Sequence, residues 1–209
     1  MPDYHSAYDR KRLQVIDRVL PHGAGPAADI GCSNGTITGM IASHGYDVVG
    51  YDIDGSAVTE ARRLRPDLQF RCGSAAEAAE IGSRSLTVCV EVIEHLPFEA
   101  QAEFLAAVSD STRPGGSLVL STPGRYSALS LLQRGRRLHR YREYDWWDPT
   151  HVGILSFRRL RRLLETTGFT PKTWTGYCYL PPRVCPPFSV NRHPVNRLGF
   201  DLLVVAVRR

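Results

Sequence analysis

Along most of the chain, short apolar runs alternate with segments whose apolar residues recur every three or four positions, a pattern of strands alternating with helices. Over residues 6–20, Leu13, Ile16, Val19 and Leu20 fall at helical spacing, and Pro21 with Gly23 ends that helix. Ala27–Ile30 reads as a short buried strand, followed by Gly31–Gly35 and a helix to about His44. Asp47–Tyr51 is a second strand, Ser56–Leu64 a helix stopped by Pro66, and Leu68–Cys72 a third strand. Ala75–Ile81 is a short helix, Leu86–Val90 a fourth strand, and Phe98–Ser111 a longer helix. The turn Pro114-Gly115-Gly116 leads into a fifth strand, Ser117–Ser121.

Residues 123–150 break this rhythm with many Arg and aromatic residues and little clean periodicity. The pattern resumes with a helix at Ser156–Thr167, a strand at Phe169–Thr175 and, after a Pro- and Asn-rich stretch, a last strand at Asp201–Val207. Two closing strands with no helix between them predict an antiparallel edge pair. The expectation is an α/β fold: a seven-stranded, mostly parallel sheet, helices on both faces, and an antiparallel edge strand. A chain of 209 residues suits one domain, residues 1–209, with 123–150 as an inserted cap.

Composition adds little to that picture. No apolar run is long enough for a membrane span, and the polar start MPDYHSAYDRKRLQV has no signal-peptide core, so the chain reads as cytoplasmic with no membrane partner. The 5 cysteines include no C-x-x-C pair and read as free thiols in a reducing compartment. A net charge of +5, carried almost wholly by Arg, permits an anionic partner without demanding nucleic acid.

The chemistry concentrates after the first strand. Gly31 and Gly35 lie in a strand–turn–helix sequence, where a Cβ would obstruct close approach of a ligand to the backbone. Asp52 closes the second strand, where a carboxylate can accept from both hydroxyls of a ribose. The G-x-G-x-x-G of nicotinamide dehydrogenases is absent, because Ser33 occupies the middle position.

Asp29-Ile30-Gly31-Cys32-Ser33-Asn34-Gly35 resembles the first motif of class I S-adenosylmethionine-dependent methyltransferases, D-x-G-C-G-x-G, with Ser33 in place of the middle Gly. Val49–Asp54 resembles their second motif, and Glu91-Val92-Ile93-Glu94-His95-Leu96 with Arg113–Gly116 completes the set. The resemblance implies a Rossmann-like fold and S-adenosylmethionine as methyl donor. It places Asp29, Gly31, Cys32, Ser33 and Gly35 around the donor's amino-acid part, Asp52 on the ribose and Ile53 on the adenine. Ser74, followed by Ala75, stands where the family has an acidic residue that accepts from the adenine amine, and Glu91 lines the pocket.

Methyl transfer needs proximity and, for an oxygen or nitrogen nucleophile, a base. Glu91, Glu94 and His95 share one side if the segment after the fourth strand turns helically, and His151 offers a further ligand. Two carboxylates with two imidazoles suit a divalent metal, Mg²⁺, Mn²⁺ or Zn²⁺. The set resembles metal-dependent small-RNA 2′-O-methyltransferases and ubiquinone-pathway O-methyltransferases. Two alternatives stay open: His95 as a metal-free base, or a structural role. In the insert, Tyr126, Tyr141, Tyr144, Trp146 and Trp147 interleave with Arg134, Arg136, Arg137, Arg140 and Arg142, which suits an anionic or aromatic small-molecule acceptor. Tyr4, Tyr8 and Arg12 repeat at helical spacing and could close over the donor. Small-molecule O-methylation is the first reading. RNA ribose methylation and donor binding without transfer are the alternatives.

Overall fold

The computed structural model describes residues 4–80, 82–124, 150–177, 188–189 and 201–209. The putting together of these elements follows the alternation of the sequence: α1 (Tyr4–Val19), β1 (Pro26–Ile30), α2 (Thr36–Ser43), β2 (Asp47–Asp52), α3 (Gly55–Leu64), β3 (Gln69–Cys72), α4 (Ala75–Glu80), β4 (Arg84–Val90), α5 (Gln101–Ser111) and β5 (Thr112–Thr122). Helix α6 (Phe157–Thr166), β6 (Phe169–Tyr177), β7 (Phe188–Ser189) and β8 (Asp201–Arg208) complete the described elements. The expected cap lies almost wholly outside the described residues, as do its aromatic and Arg side chains.

The strands form one sheet in the order β3-β2-β1-β4-β5-β8-β6-β7. Seven strands carry it, and the eighth, β7, is a two-residue edge piece. Neighbours from β3 to β5 run parallel, which brings their C-terminal ends to one rim. Strand β8 inserts between β5 and β6 and is antiparallel to both. The two closing strands thus form the expected antiparallel pair on this side of the sheet, with β8 next to β5 and β6 outside it.

Both faces are covered, as a parallel sheet requires. Ala28, Ile30, Cys89, Leu118, Leu120 and Val204 face Leu105, Val108, Leu160 and Leu164 of α5 and α6. The alternate residues Ala27, Leu86, Val88, Val119 and Leu203 face Val15, Ile16 and Ile41 of α1 and α2. A smaller cluster joins Cys32, Val58, Ala61 and Phe70. Successive strand residues point to opposite sides, so each apolar run serves two cores at once.

The Pro114-Gly115-Gly116 segment is a bulge within β5 and not a turn before it. Arg84 pairs with Thr112 but Leu86 pairs with Ser117, so three extra residues are absorbed on the β5 side. Among the described residues no helix is long and apolar enough to cross a membrane.

Candidate functional site

The chain after β1 makes a tight crank in which Gly31, Ser33 and Gly35 all have positive φ, 78°, 46° and 79°. The amides of Gly31 and Cys32 both donate to the Tyr51 carbonyl, at 2.7 and 3.0 Å, and so fasten the crank to the end of β2. The glycines are required here by the fold itself. A Cβ on Gly31 would stand 2.3 Å from Cγ2 of Val92, and one on Gly35 would stand 2.7 Å from the Phe70 ring. Tight packing against Val92 and Phe70 is thus a reason for both glycines beside the one read from the sequence.

The Ser33 amide donates to Asp52 Oδ2 at 2.8 Å, and the Asp54 amide donates to Oδ1 at 3.0 Å. Each oxygen of that half-buried carboxylate has a second lone pair beyond the one these amides take. Beside it Ile53 is 79% exposed, an apolar surface with no partner in the core. Asp29 lies beneath the crank, 1% exposed, and accepts from Thr38 Oγ1 at 2.7 Å. Burial pushes its carboxyl up to about 7. Cys32 points into the cluster of Phe70 and Val58, and burial lifts its thiol to about 12. Asp29 and Cys32 are thus both buried at the turn.

Ser74 has a task that the sequence reading did not give it. Its hydroxyl and amide both donate to Glu77 Oε2, at 2.9 and 2.7 Å, and the Glu77 amide approaches Ser74 Oγ at 3.4 Å. This is a capping box that starts α4 at Ala75, and the S-x-x-E spacing was a readable sign of it. A carboxylate does stand at this corner, supplied by Glu77 from three positions on.

The turn after β4 is built differently. Glu91 adopts φ 55°, so it precedes the short 3₁₀ turn Ile93–His95 and does not share a helical face with Glu94 and His95. Its Oε1 accepts from Ser121 Oγ at 2.6 Å. Burial raises the Glu91 carboxyl, while Ser121, the Arg12 guanidinium of α1, His95 and the neighbouring Glu94 carboxyl oppose the rise. The Arg12 charge is thus felt at Glu91, whereas the side chains of Tyr4 and Tyr8 lie outside those described.

Glu94 is fully buried, and neither carboxylate oxygen has a hydrogen-bond partner. Thr122 Oγ1 stands close but also makes no hydrogen bond of normal geometry. Burial first, and the Glu91 carboxyl second, push Glu94 well above the usual carboxylate range. His95 is exposed, and its Nδ1 lies 2.8 Å from Thr150 Oγ1. The His95 and His151 rings meet edge to face with centroids 4.8 Å apart. Glu94, His95 and His151 each offer a ligand atom, all within 4.8 Å of one another, and Glu91 stands outside that group. One carboxylate with two imidazoles is a donor set that fits a divalent ion. Ser121, Thr150 and Gln101, which hold these groups, carry no motif that the sequence alone would flag.

The family model described as "Methyltransferase domain" matches residues 5–173. A "Probable S-adenosylmethionine-dependent methyltransferase" of Mycolicibacterium smegmatis is 31% identical over 169 residues, covering 79% of this chain and 61% of that protein. A ubiquinone biosynthesis O-methyltransferase of Albidiferax ferrireducens is 30% identical over 143 residues, covering 59% of this chain and 56% of its own length. The chain therefore spans less than two thirds of either relative. A crystal structure of a SAM-dependent methyltransferase from Archaeoglobus fulgidus superposes with a TM-score of 0.69 at 19% identity, covering 99% of this chain and 95% of that one.

Proposed function

This chain belongs to the methyltransferase-domain family, and from that premise we propose that it moves a methyl group from S-adenosylmethionine to an oxygen of a small-molecule acceptor. The observation that carries the reading is the pairing of two turns at one rim. After β1 and β2 lie the Asp52 carboxylate and the bare Ile53 surface; after β4 lies an exposed imidazole. Open α/β sheets bind ligands at this rim.

Asp52 accepts from the ribose hydroxyls, Ile53 lies against the adenine, and the Ser74–Glu77 corner receives the exocyclic amine. With Nδ1 of His95 engaged by Thr150, Nε2 is the ring nitrogen left to face an acceptor. The acceptor oxygen attacks the methyl carbon as the carbon–sulfur bond breaks. His95 takes the acceptor's proton, and S-adenosylhomocysteine departs. Oxygen as the acceptor atom is supported by the name of the Albidiferax ferrireducens relative. Residues 123–150 serve as the acceptor cap of a single domain, with their Arg and aromatic residues suited to an anionic or aromatic acceptor.

A second reading is favoured by the buried, unpartnered Glu94 carboxylate beside two imidazoles. Glu94, His95 and His151 would hold a divalent ion, which when bound would polarise the acceptor oxygen. The test is turnover after exhaustive chelation, with elemental analysis. Activity lost in chelator and restored by Mg²⁺, Mn²⁺ or Zn²⁺ supports the ion, and full activity without metal leaves His95 as the base. The proposed activity itself is tested by donor titration and S-adenosylhomocysteine release across a panel of hydroxylated aromatics.

A further inference from the structure

We propose that Gln101 is the positioning residue that sets the His95–His151 pair, an inference that rests on reading this pair as the acceptor end of the site. Gln101 opens α5 and is fully buried. Its Nε2 lies 3.1 Å from the Ile93 carbonyl, 3.3 Å from the Leu96 carbonyl and 2.6 Å from the Gly153 carbonyl. Ile93 and Leu96 bracket Glu94 and His95. Gly153 stands two residues after His151. One amide group thus ties together two segments that are far apart in the chain and carry nothing in common except the candidate acceptor residues.

The contact is close enough to constrain what can stand there. The Gly153 amide donates to the Glu94 carbonyl at 2.9 Å. A Cβ on Gly153 would stand 2.0 Å from the Leu96 carbonyl oxygen and 2.4 Å from Gln101 Nε2. Two N–H protons shared among three carbonyls need a side chain that only donates toward the bridge. A carboxylate of the same length would face three carbonyl oxygens and repel them.

The other end of the amide indicates which half matters. Oε1 of Gln101 is buried with no hydrogen-bond partner, so the residue is not held by a balanced set of bonds at both ends. An apolar chain would spare that orphan and still fill the space, but it would leave the two segments joined only by the Gly153–Glu94 backbone bond and the Thr150–His95 contact. The rest of α5 is anchored independently, through Leu105 and Val108 in the core. Loss of the amide should therefore loosen the loop bearing Thr150 and His151 without dissolving the fold.

The experiment uses histidine-labelled full-length chain and NMR. In the wild type a cross-relaxation peak is expected between ring protons of His95 and His151. In Gln101→Met that peak should fall at least fivefold, while the backbone fingerprint of the β1 crank stays in place and S-adenosylhomocysteine affinity stays within twofold of wild type. A merely structural role would lower Tm and leave the peak; that result, or a wild type lacking the peak, overturns the proposal. Should Gln101→Met fail to fold, Gln101→Asn keeps both donors on a shorter arm, and the peak should at least halve; an unchanged peak overturns the proposal there too. The reading as a methyltransferase fails separately, if wild type shows the peak but does not bind S-adenosylhomocysteine.

Discussion

The turns after β1 and β4 stand beside each other, because β1 and β4 are hydrogen-bonded neighbours. Each forces one non-glycine residue into the left-handed region, Ser33 at φ 46° and Glu91 at φ 55°. They differ in how their polar groups are satisfied. In the first turn Asp52 takes two backbone amides and Asp29 takes the Thr38 hydroxyl, so every carboxylate has an internal partner. In the second, Glu94 is sealed from water with no partner for either oxygen, and its neighbour Glu91 raises it further. The first turn is complete before any ligand arrives, which is what a cradle for a fixed cofactor requires. The second holds unspent polar capacity, which costs stability and suits a site where protons or charge must move.

Removing the imidazole breaks the comparison most severely. His95→Ala should lower methyl-transfer turnover by about 10²–10⁴-fold, the usual worth of a positioned base, and leave S-adenosylhomocysteine affinity within twofold. A matching loss of donor affinity would erase the division between the two turns.

The next test strikes the first turn through its buried acid. Asp29 sits at about 7 in the folded chain, above its ordinary value. Its contribution to stability is therefore complete below about pH 4 and is lost as pH rises toward 7. Asp29→Asn keeps an acceptor for Thr38 and cannot ionise. Denaturant titrations should show the variant ahead of wild type by up to about 4 kcal/mol at pH 8 and level with it near pH 4. A variant equally weak at both pH values would mean that the carboxylate is stabilised in place.

For the second turn, Glu94→Met should raise stability by about 1–3 kcal/mol, since it removes an unpartnered buried acid. Lower stability, measured by urea unfolding, would show that the carboxyl has a partner after all. The smallest effect belongs to Ser33→Gly, which should gain about 0.5–1 kcal/mol by relieving the left-handed serine, read as a rise in Tm. No gain would mean that the Ser33 side chain offsets its backbone cost.

How far the sequence could be read divides along the same line. The order of elements, the glycine crank and the place of Asp52 at the end of β2 are legible because period, turn residues and spacing are local signals. The position of β8 was not, since pairing it between β5 and β6 depends on contacts across the whole chain. The bulge at Pro114–Gly116 looked like an ordinary turn because its register is set by Arg84 and Leu86 on another strand. At the site, helical spacing suggested that Glu91 would join Glu94 and His95. The left-handed Glu91 backbone defeats that argument, and no residue type announces it. His151 was placed with His95 on chemistry alone, and the bridge that brings them together, Gln101, carries no chemical signature.

On the reading proposed above, the completed turn after β1 holds S-adenosylmethionine through Asp52. Isothermal titration of S-adenosylhomocysteine into wild type and Asp52→Ala tests it most directly. Wild type should bind saturably and one-to-one, and the variant at least tenfold more weakly, about 1.4 kcal/mol or more for lost hydrogen bonds to a charged acceptor. Equal affinity in the two proteins, or no binding by wild type, would contradict it.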